Sequence, residues 1–137
     1  MKKLLSLTLV LLMLMGFSAC GSFTARSDSV YIKIYNNTKI SVKSFALDEY
    51  ESAVLKSTIV AENADGSSYL PNESLIFEVL GANPDTLSFA VKAEDESGNT
   101  YVSKIVSASV LSRGIISAYS VELSGESLVL NYLGVEE

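Results

Sequence analysis

Cys20 is the residue whose type and position could do covalent chemistry. It is the only cysteine of the 137 residues and stands directly after a long apolar run. A cysteine thiolate is a nucleophile, but a single cysteine can form no internal disulfide. Histidine is absent, which excludes Ser-His-Asp and Cys-His catalysis, His-ligated zinc and a histidine acid or base. The covalent chemistry that these residue types indicate is therefore the attachment of a group to the thiol of Cys20.

The residues before Cys20 have the layout of an export signal. Met1-Lys2-Lys3 is a short basic region, and residues 4–15 are apolar with two polar interruptions. This run is shorter than the about 20 apolar residues that a transmembrane helix needs. The pattern predicts export and removal of a signal peptide at residues 1–19 rather than a membrane-spanning helix.

The segment Phe17-Ser18-Ala19-Cys20 resembles the lipobox of bacterial lipoproteins, in which an aliphatic residue, a small residue and Gly or Ala precede the cysteine. Phe17 departs from the usual leucine. Small side chains at Ser18 and Ala19 allow an extended backbone to enter a peptidase cleft. The resemblance implies that Cys20 receives a diacylglyceryl thioether, that cleavage separates Ala19 from Cys20, and that the new amino group can be acylated by a fatty acid such as palmitate.

Two other interpretations of Cys20 stay open from the residues alone. One is a buried free cysteine, which is a common role of this residue. The other is an ordinary signal peptide cut after Ala19 that leaves Cys20 as a free thiol. An exported protein with an exposed thiol would be liable to oxidation, so lipidation is the favoured interpretation.

A lipid on Cys20 would attach the protein to a membrane without spanning it. One acyl chain binds only marginally, at about 0.8 kcal/mol per buried methylene, whereas two or three chains attach a protein stably. Gly21 follows Cys20, whereas sorting rules resembling those of enteric bacteria retain lipoproteins with Asp at that place in the inner membrane. We therefore expect a lipid-anchored protein of the cell envelope, with the outer membrane favoured in a bacterium that has one.

The mature chain would be one acidic domain on a short tether. About 118 residues follow position 19, enough to bury a core without disulfides. Loss of Lys2 and Lys3 changes the formal net charge from −6 to −8, and without a basic cluster nucleic acid is not an expected partner. Residues 20–29 are rich in small and polar residues, which predicts a lipidated tether before a domain at 30–137.

Alternating apolar residues predict an all-β domain with no helix outside the signal. Residues 30–35 alternate, and Asn36-Asn37-Thr38 ends this strand with turn-forming residues. A change in the parity of the apolar residues predicts a β-bulge near Ser44. Seven or eight short strands at this spacing predict an antiparallel β-sandwich, with an open β-barrel as the alternative. The further predicted strands are 39–47, 54–61, 74–80, 87–93, 100–106, 115–123 and 127–133.

The layout also resembles small β-sandwich lipoproteins of bacterial envelopes whose function is uncharacterised. The matching features are the strand ending Ile34-x-Asn36-Asn37-Thr38, the turn Leu70-Pro71-Asn72-Glu73 and the hairpin Asp95-Glu96-Ser97-Gly98-Asn99. These are turn motifs. The resemblance therefore implies a fold more than a function.

No metal, cofactor or catalytic site is expected. Residues 61–72 carry the Asn, Asp and Gly of three EF-hand positions, but Ala61 and Asn72 stand where the first and last calcium ligands belong. Glu94-Asp95-Glu96 alternate in direction and could contribute to a cation site only if acidic residues of 48–51 came near. Close carboxylate pairs are inevitable among sixteen acidic residues, so they do not indicate a glycosidase.

Tyr31 and Tyr35 are the candidate ligand-binding residues. They share the predicted outward face of the first strand, with Lys33 between them, and aromatic faces on β-sandwiches often bind sugar rings. The platform lacks tryptophan, and strand tyrosines also pack against cross-strand neighbours. Carbohydrate binding through these tyrosines is the alternative hypothesis. The favoured one is a non-enzymatic structural or protein-interaction module, with the membrane at Cys20 and an envelope protein as partners.

Overall fold

The computed structural model describes residues 23–108 and 111–137. The predicted signal peptide, the lipobox-like segment and Cys20 lie outside the described residues. Cleavage after Ala19 and lipidation of Cys20 therefore stay predictions. No helix within 23–108 or 111–137 is long and apolar enough to cross a membrane.

The described part of the chain forms nine strands, and the predicted all-β class is confirmed. Their order in the sheet is β3-β2-β5-β6-β9-β8-β1-β4, and β7 pairs with β5 beside this path. The strands are β1 Ser29–Asn36, β2 Val42–Glu51, β3 Val54–Ala61, β4 Ser74–Leu80, β5 Leu87–Asp95, β6 Thr100–Ser103, β7 Val106–Ser107, β8 Ile116–Ser124 and β9 Ser127–Glu136.

The sheet folds over into two layers around one core, so it combines features of the predicted sandwich and of an almost closed barrel. Short β6 joins the layers on one side, and a single bridge between Val42 and Tyr69 joins them on the other. Two pairs are parallel, β1 with β8 and β6 with β9, whereas the sequence predicts antiparallel pairing. The difference arises because alternation within a strand shows which face is buried but not which way its neighbour runs.

The predicted bulge near Ser44 is confirmed. The ladder between β2 and β5 shifts register between Val42 and Ser44. The shift allows both Val42 and Phe45 to point into the core despite their odd spacing, and both are fully buried. Other buried side chains from both layers are Val30, Ile32, Ile34, Leu47, Phe77, Phe89, Val91, Tyr119 and Val121.

Strand register gives the domain two ends. At the tether pole, the described N-terminal segment 23–28, the loop 81–86 and the loop residues 111–115 meet: Gly81 N–H donates to Asp28 O, and Gly114 N–H donates to Ser29 O. The distal pole lies at the opposite ends of the same strands. It consists of the loops 37–41, 62–73, 96–99 and 125–126.

Candidate partner-binding site

Strand β9 has a neighbour along only part of one edge. It pairs with β8 from Ser127 to Glu136, apart from the irregularity at Leu133, but with β6 only at Ser127 and Leu128. From Val129 to Glu136 no described strand pairs with that second edge. As far as residues 23–108 and 111–137 are concerned, the backbone N–H and C=O groups that point outwards from this edge are therefore available to bond with another chain.

The core-facing side chains of β9 become more exposed as the strand leaves β6. Leu128, Leu130 and Tyr132 lie on the face that the register with β8 turns towards the core. Leu128 is 2% exposed, Leu130 is partly buried, and Tyr132 is 45% exposed. The ring of Tyr132 packs at a tilt against that of buried Tyr119 with ring centroids 5.2 Å apart, and Tyr119 packs against Phe89 of the other layer. The core is thus covered at one end of β9 and open at the other.

A groove of about 510 Å³ opens where β6 and β9 separate. One wall is formed by the end of β6 and by β7, and the other by the first half of β9. The lining combines apolar side chains with hydroxyl groups and one ammonium group in similar proportions, which suits a partner segment that carries both apolar and polar side chains. The lining residues are Val102, Ser103, Lys104, Val106, Ser124, Ser127, Leu128, Val129 and Leu130.

Tyr119 carries a buried hydroxyl at the open side of the core. Neither this hydroxyl nor that of buried Ser117 has a hydrogen-bond partner among residues 23–108 and 111–137. Burial raises the pKa of Tyr119 to about 12, so the phenol is neutral at physiological pH. A buried hydroxyl without a partner contributes nothing that offsets its desolvation.

We expect Tyr119→Phe to leave the free energy of unfolding unchanged or to raise it by up to about 1 kcal/mol, because the ring contacts stay and an unpaired hydroxyl is removed. Urea denaturation followed by circular dichroism measures the change. Tyr35→Phe is the matched control, since it removes a hydroxyl that donates to Glu136 at 2.6 Å and should be neutral or destabilising. Destabilisation by Tyr119→Phe beyond that of the control would contradict the prediction.

The prediction that Tyr31 is exposed is wrong. The side chain lies on the outer face of β1, yet it is 2% exposed, because Phe23 packs edge to face on its ring at 5.1 Å between centroids. Its hydroxyl donates to Glu78 at 3.2 Å and accepts from the backbone N–H of Arg26 at 2.7 Å. Alternation within β1 cannot show that the preceding segment folds over this residue.

Tyr35 is partly exposed, and its surroundings differ from those of Tyr31. Its hydroxyl donates to Glu136, and the ammonium group of Lys33 lies 4.8 Å from its ring centroid and 2.6 Å from the Glu136 carboxylate. Hydrogen bonding to Lys33, and then to Tyr35, lowers the pKa of Glu136. The two tyrosines therefore do not form one exposed platform for a sugar ring.

The acidic loops bond with their own turns. The Asp65 carboxylate accepts from the hydroxyl and backbone N–H of Ser67, and these bonds lower its pKa. Asp95 accepts from the side chain and backbone of Asn99 and from the backbone N–H of Ser97, which lowers its pKa in the same way. Within the described ranges no three acidic or cysteine side chains converge as metal ligands.

Comparison with known proteins gives distant structural likenesses. No family model matches the chain, and no curated protein matches it. Similar solved structures include an NMR structure of a protein from Eubacterium rectale, with 14% identity, a TM-score of 0.49, and coverage of 78% of this chain and 90% of that one. Another is the crystal structure of the T6SS lipoprotein TssJ1 from Pseudomonas aeruginosa, with 12% identity, a TM-score of 0.41, and coverage of 78% and 97%. A candidate cell adhesion protein from Bacteroides ovatus ATCC 8483 has 10% identity, a TM-score of 0.40, and coverage of 80% and 45%.

Proposed function

We propose that this protein is a lipid-anchored, non-enzymatic protein of the bacterial envelope that binds an extended segment of a partner protein along β9. The observation that carries the proposal is the unpaired edge from Val129 to Glu136, on which the core-facing side chain of Tyr132 is left exposed. A strand added there would pair with the free backbone groups and cover the open side of the core. Strand addition to a free sheet edge is a recurring mode of peptide recognition.

The geometry defines the chemistry of the partner segment. An added strand of roughly six to eight residues would match an ordinary strand in length. Alternate side chains would point into the groove, where Val102, Val106 and Leu130 supply apolar contacts. Lys104 lines the same groove and has an exposed side chain, so an acidic residue at the matching end of the segment would be favoured. The expected partner is thus an extended, alternately apolar segment of another envelope protein.

The proposed anchor rests on Phe17-Ser18-Ala19-Cys20 and the preceding apolar run. The absence of histidine supports a role without catalysis. Mass spectrometry of the membrane fraction tests the anchor, because the mature N-terminal peptide should begin at Cys20 and carry a diacylglyceryl thioether. A Cys20→Ser chain should lose both the lipid and the association with membranes.

Site-specific photocrosslinking in the bacterium that produces the protein tests the partner site. A benzophenone amino acid is placed at Val102 or Val129, which are similarly exposed on opposite walls of the groove, and at exposed Leu70 of the distal pole as the control. We expect one and the same partner protein at both groove positions and not at Leu70. Tyr132→Asp should abolish the adduct, because it places a charge on the surface that the added strand would cover.

Three results would count against the partner site. They are different proteins captured at the two walls, equal capture at Leu70, and no adduct at either wall. A fold check accompanies Tyr132→Asp, since the variant is informative only with the circular dichroism spectrum and urea midpoint of the parent chain. Should that variant unfold, Leu133→Asp replaces it, because Leu133 is an exposed β9 residue without a described partner in the ladder with β8.

A further inference from the structure

The tether pole carries a cluster of exposed apolar side chains. Phe23, Ile115 and Val135 are 52%, 41% and 59% exposed, and all three line one depression of about 430 Å³. They come from the N-terminal segment, the loop before β8 and the end of β9. Single exposed apolar residues are ordinary on a protein surface, but a contiguous group around one depression marks an interaction surface.

The cluster is held in place by contacts with the folded domain. Phe23 packs on the ring of Tyr31, and the backbone N–H of Arg26 donates to the Tyr31 hydroxyl. Gly114, beside Ile115, lies against the same segment: a Cβ added to it would be 3.6 Å from Arg26 O. The depression is therefore part of the domain surface rather than a loose tail.

The short chain between Phe23 and Cys20 limits how far this cluster can be from a lipid anchor. Cys20 precedes Phe23 by three residues, and an extended chain spans at most about 3.6 Å per residue. Acyl chains on Cys20 lie in the bilayer, so Phe23 would be within roughly 11 Å of the attached lipid. The headgroup region is on the order of 5–8 Å thick on each side, and interfacial side chains insert by about 5–10 Å. The anchor therefore places the tether pole at the membrane surface.

Both ends of the domain carry acidic residues, since Asp28, Glu51, Asp85, Glu136 and Glu137 lie at the tether pole. The distal pole is the more acidic of the two, so anionic headgroups repel it more strongly. Its acidic residues include Glu62, Asp65, Glu73, Glu94, Asp95, Glu96, Glu122 and Glu126, with Lys39 and Lys43 as the basic residues nearby. Both arginines of the chain are at the tether pole, where Arg26 pairs with Asp28 and Arg113 donates to the Ala82 carbonyl. Glu136 and Glu137 also line the depression; Glu136 is paired with Lys33, and Glu137 is exposed.

We infer that the tether pole docks on the lipid bilayer, with Phe23, Ile115 and Val135 inserted at the level of the headgroups. The inference rests on the proposed lipid anchor at Cys20 and adds an orientation to it. The acidic distal pole then points away from the membrane. Strand β9 runs from that pole towards the bilayer, so its unpaired edge is oriented roughly perpendicular to the membrane surface.

Fluorescent labelling of the lipidated protein tests this orientation. The thioether would occupy the sulfur of Cys20, so a cysteine introduced at Ile115 or at Val135 is the only free thiol and can carry an environment-sensitive nitrobenzoxadiazole label. Val60→Cys is the control, because Val60 on β3 is as exposed as Val135 and lies towards the distal pole. The purified lipoproteins are reconstituted into vesicles of phosphatidylethanolamine with one quarter phosphatidylglycerol.

In vesicles we expect blue-shifted emission from labels at 115 and 135, and loss of that emission when the lipid headgroups carry a nitroxide quencher. The label at 60 should keep its aqueous spectrum. Lipidated, vesicle-bound protein whose three labels all remain aqueous would overturn the orientation and leave the anchor intact. A mass spectrum that shows Cys20 without lipid would overturn the anchor and the orientation together, so the two failures are distinguishable.

Discussion

Replacing Asn36 with alanine is expected to lower the free energy of unfolding by roughly 3–5 kcal/mol. Asn36 is fully buried at the end of β1. Its side-chain amide donates to the carbonyl oxygens of Ile40, Tyr69 and Leu70, each at 3.1 Å. Its side-chain oxygen accepts from the backbone N–H of Thr38 at 3.2 Å and from the Thr38 hydroxyl at 2.6 Å.

One side chain thus fastens the end of β1 to the loop 37–41 and to the segment before β4. The backbone of Asn36 adds bonds to Glu73 O and from Asn72 N–H, and alanine would keep these. The carbonyl groups and the Thr38 donors that bond with the Asn36 side chain would lose that partner in the alanine variant. Each buried polar group left unpaired costs about 1–3 kcal/mol, although such costs do not add fully. The expected loss is a large share of a total stability of about 5–15 kcal/mol.

Urea denaturation measures this effect as a lower midpoint with an unchanged slope. Asn37→Ala is the matched control, because Asn37 is the exposed neighbour and its side chain bonds with exposed Glu122. The control should change stability by no more than about 0.5 kcal/mol. Equal effects of the two substitutions would show that the buried network at Asn36 does not determine the stability of the distal pole.

Asn36-Asn37-Thr38 also shows how far the sequence determines the fold. Turn-forming residues after an alternating run correctly predict that β1 ends there. The partners of the Asn36 amide at Tyr69 and Leu70 lie more than thirty positions further along the chain, and no local pattern specifies them. Strand existence was therefore predictable, whereas the buried polar connection between loops was not.

The candidate partner site was beyond prediction for a related reason. The sequence predicts a last strand at 127–133, and the structure extends it to Glu136. Whether a strand has one neighbour or two depends on the path of the sheet, which alternation does not encode. An exposed core-facing residue such as Tyr132 is recognisable only once the register with β8 is known. The prediction for Cys20, by contrast, rests on a local motif alone, and it stays a prediction because Cys20 lies outside the described residues.

The second large effect is expected at the pair of Asp48 and Lys92. The Asp48 side chain is 3% exposed, and the Lys92 ammonium nitrogen lies 2.6 Å from one of its carboxylate oxygens. The Thr58 hydroxyl donates to the other oxygen at 2.7 Å. Lys92→Met keeps the length of the side chain but leaves a buried carboxylate without its counter-charge. Such changes cost about 3–5 kcal/mol in fully buried pairs, and we expect about 2 kcal/mol at pH 7 because the Lys92 side chain is 37% exposed and water screens the pair.

The pH dependence of this effect has a definite sign. Burial acts to raise the pKa of Asp48, but hydrogen bonds from Lys92 and Thr58 outweigh it, so the pKa lies below its usual value of 3.8. In the parent chain the carboxylate therefore contributes stability above that value, and the contribution is lost as the pH falls through the lowered pKa. Without Lys92, burial is opposed by Thr58 alone and raises the pKa above the usual value. As the pH falls through that raised pKa, the carboxyl group of the variant becomes neutral. The cost of burying its charge then disappears, and the variant regains free energy of unfolding.

The stability difference between the parent chain and Lys92→Met should consequently shrink as the pH falls from 7 towards 4. Urea titrations at several pH values measure it directly. Lys43→Met is the control, since it breaks a pair with Glu94 whose side chains are both exposed, and it should cost no more than about 0.5 kcal/mol. A difference for Lys92→Met that stays constant over this range would mean that Asp48 does not change its protonation, and the buried pair would then not be the origin of the loss.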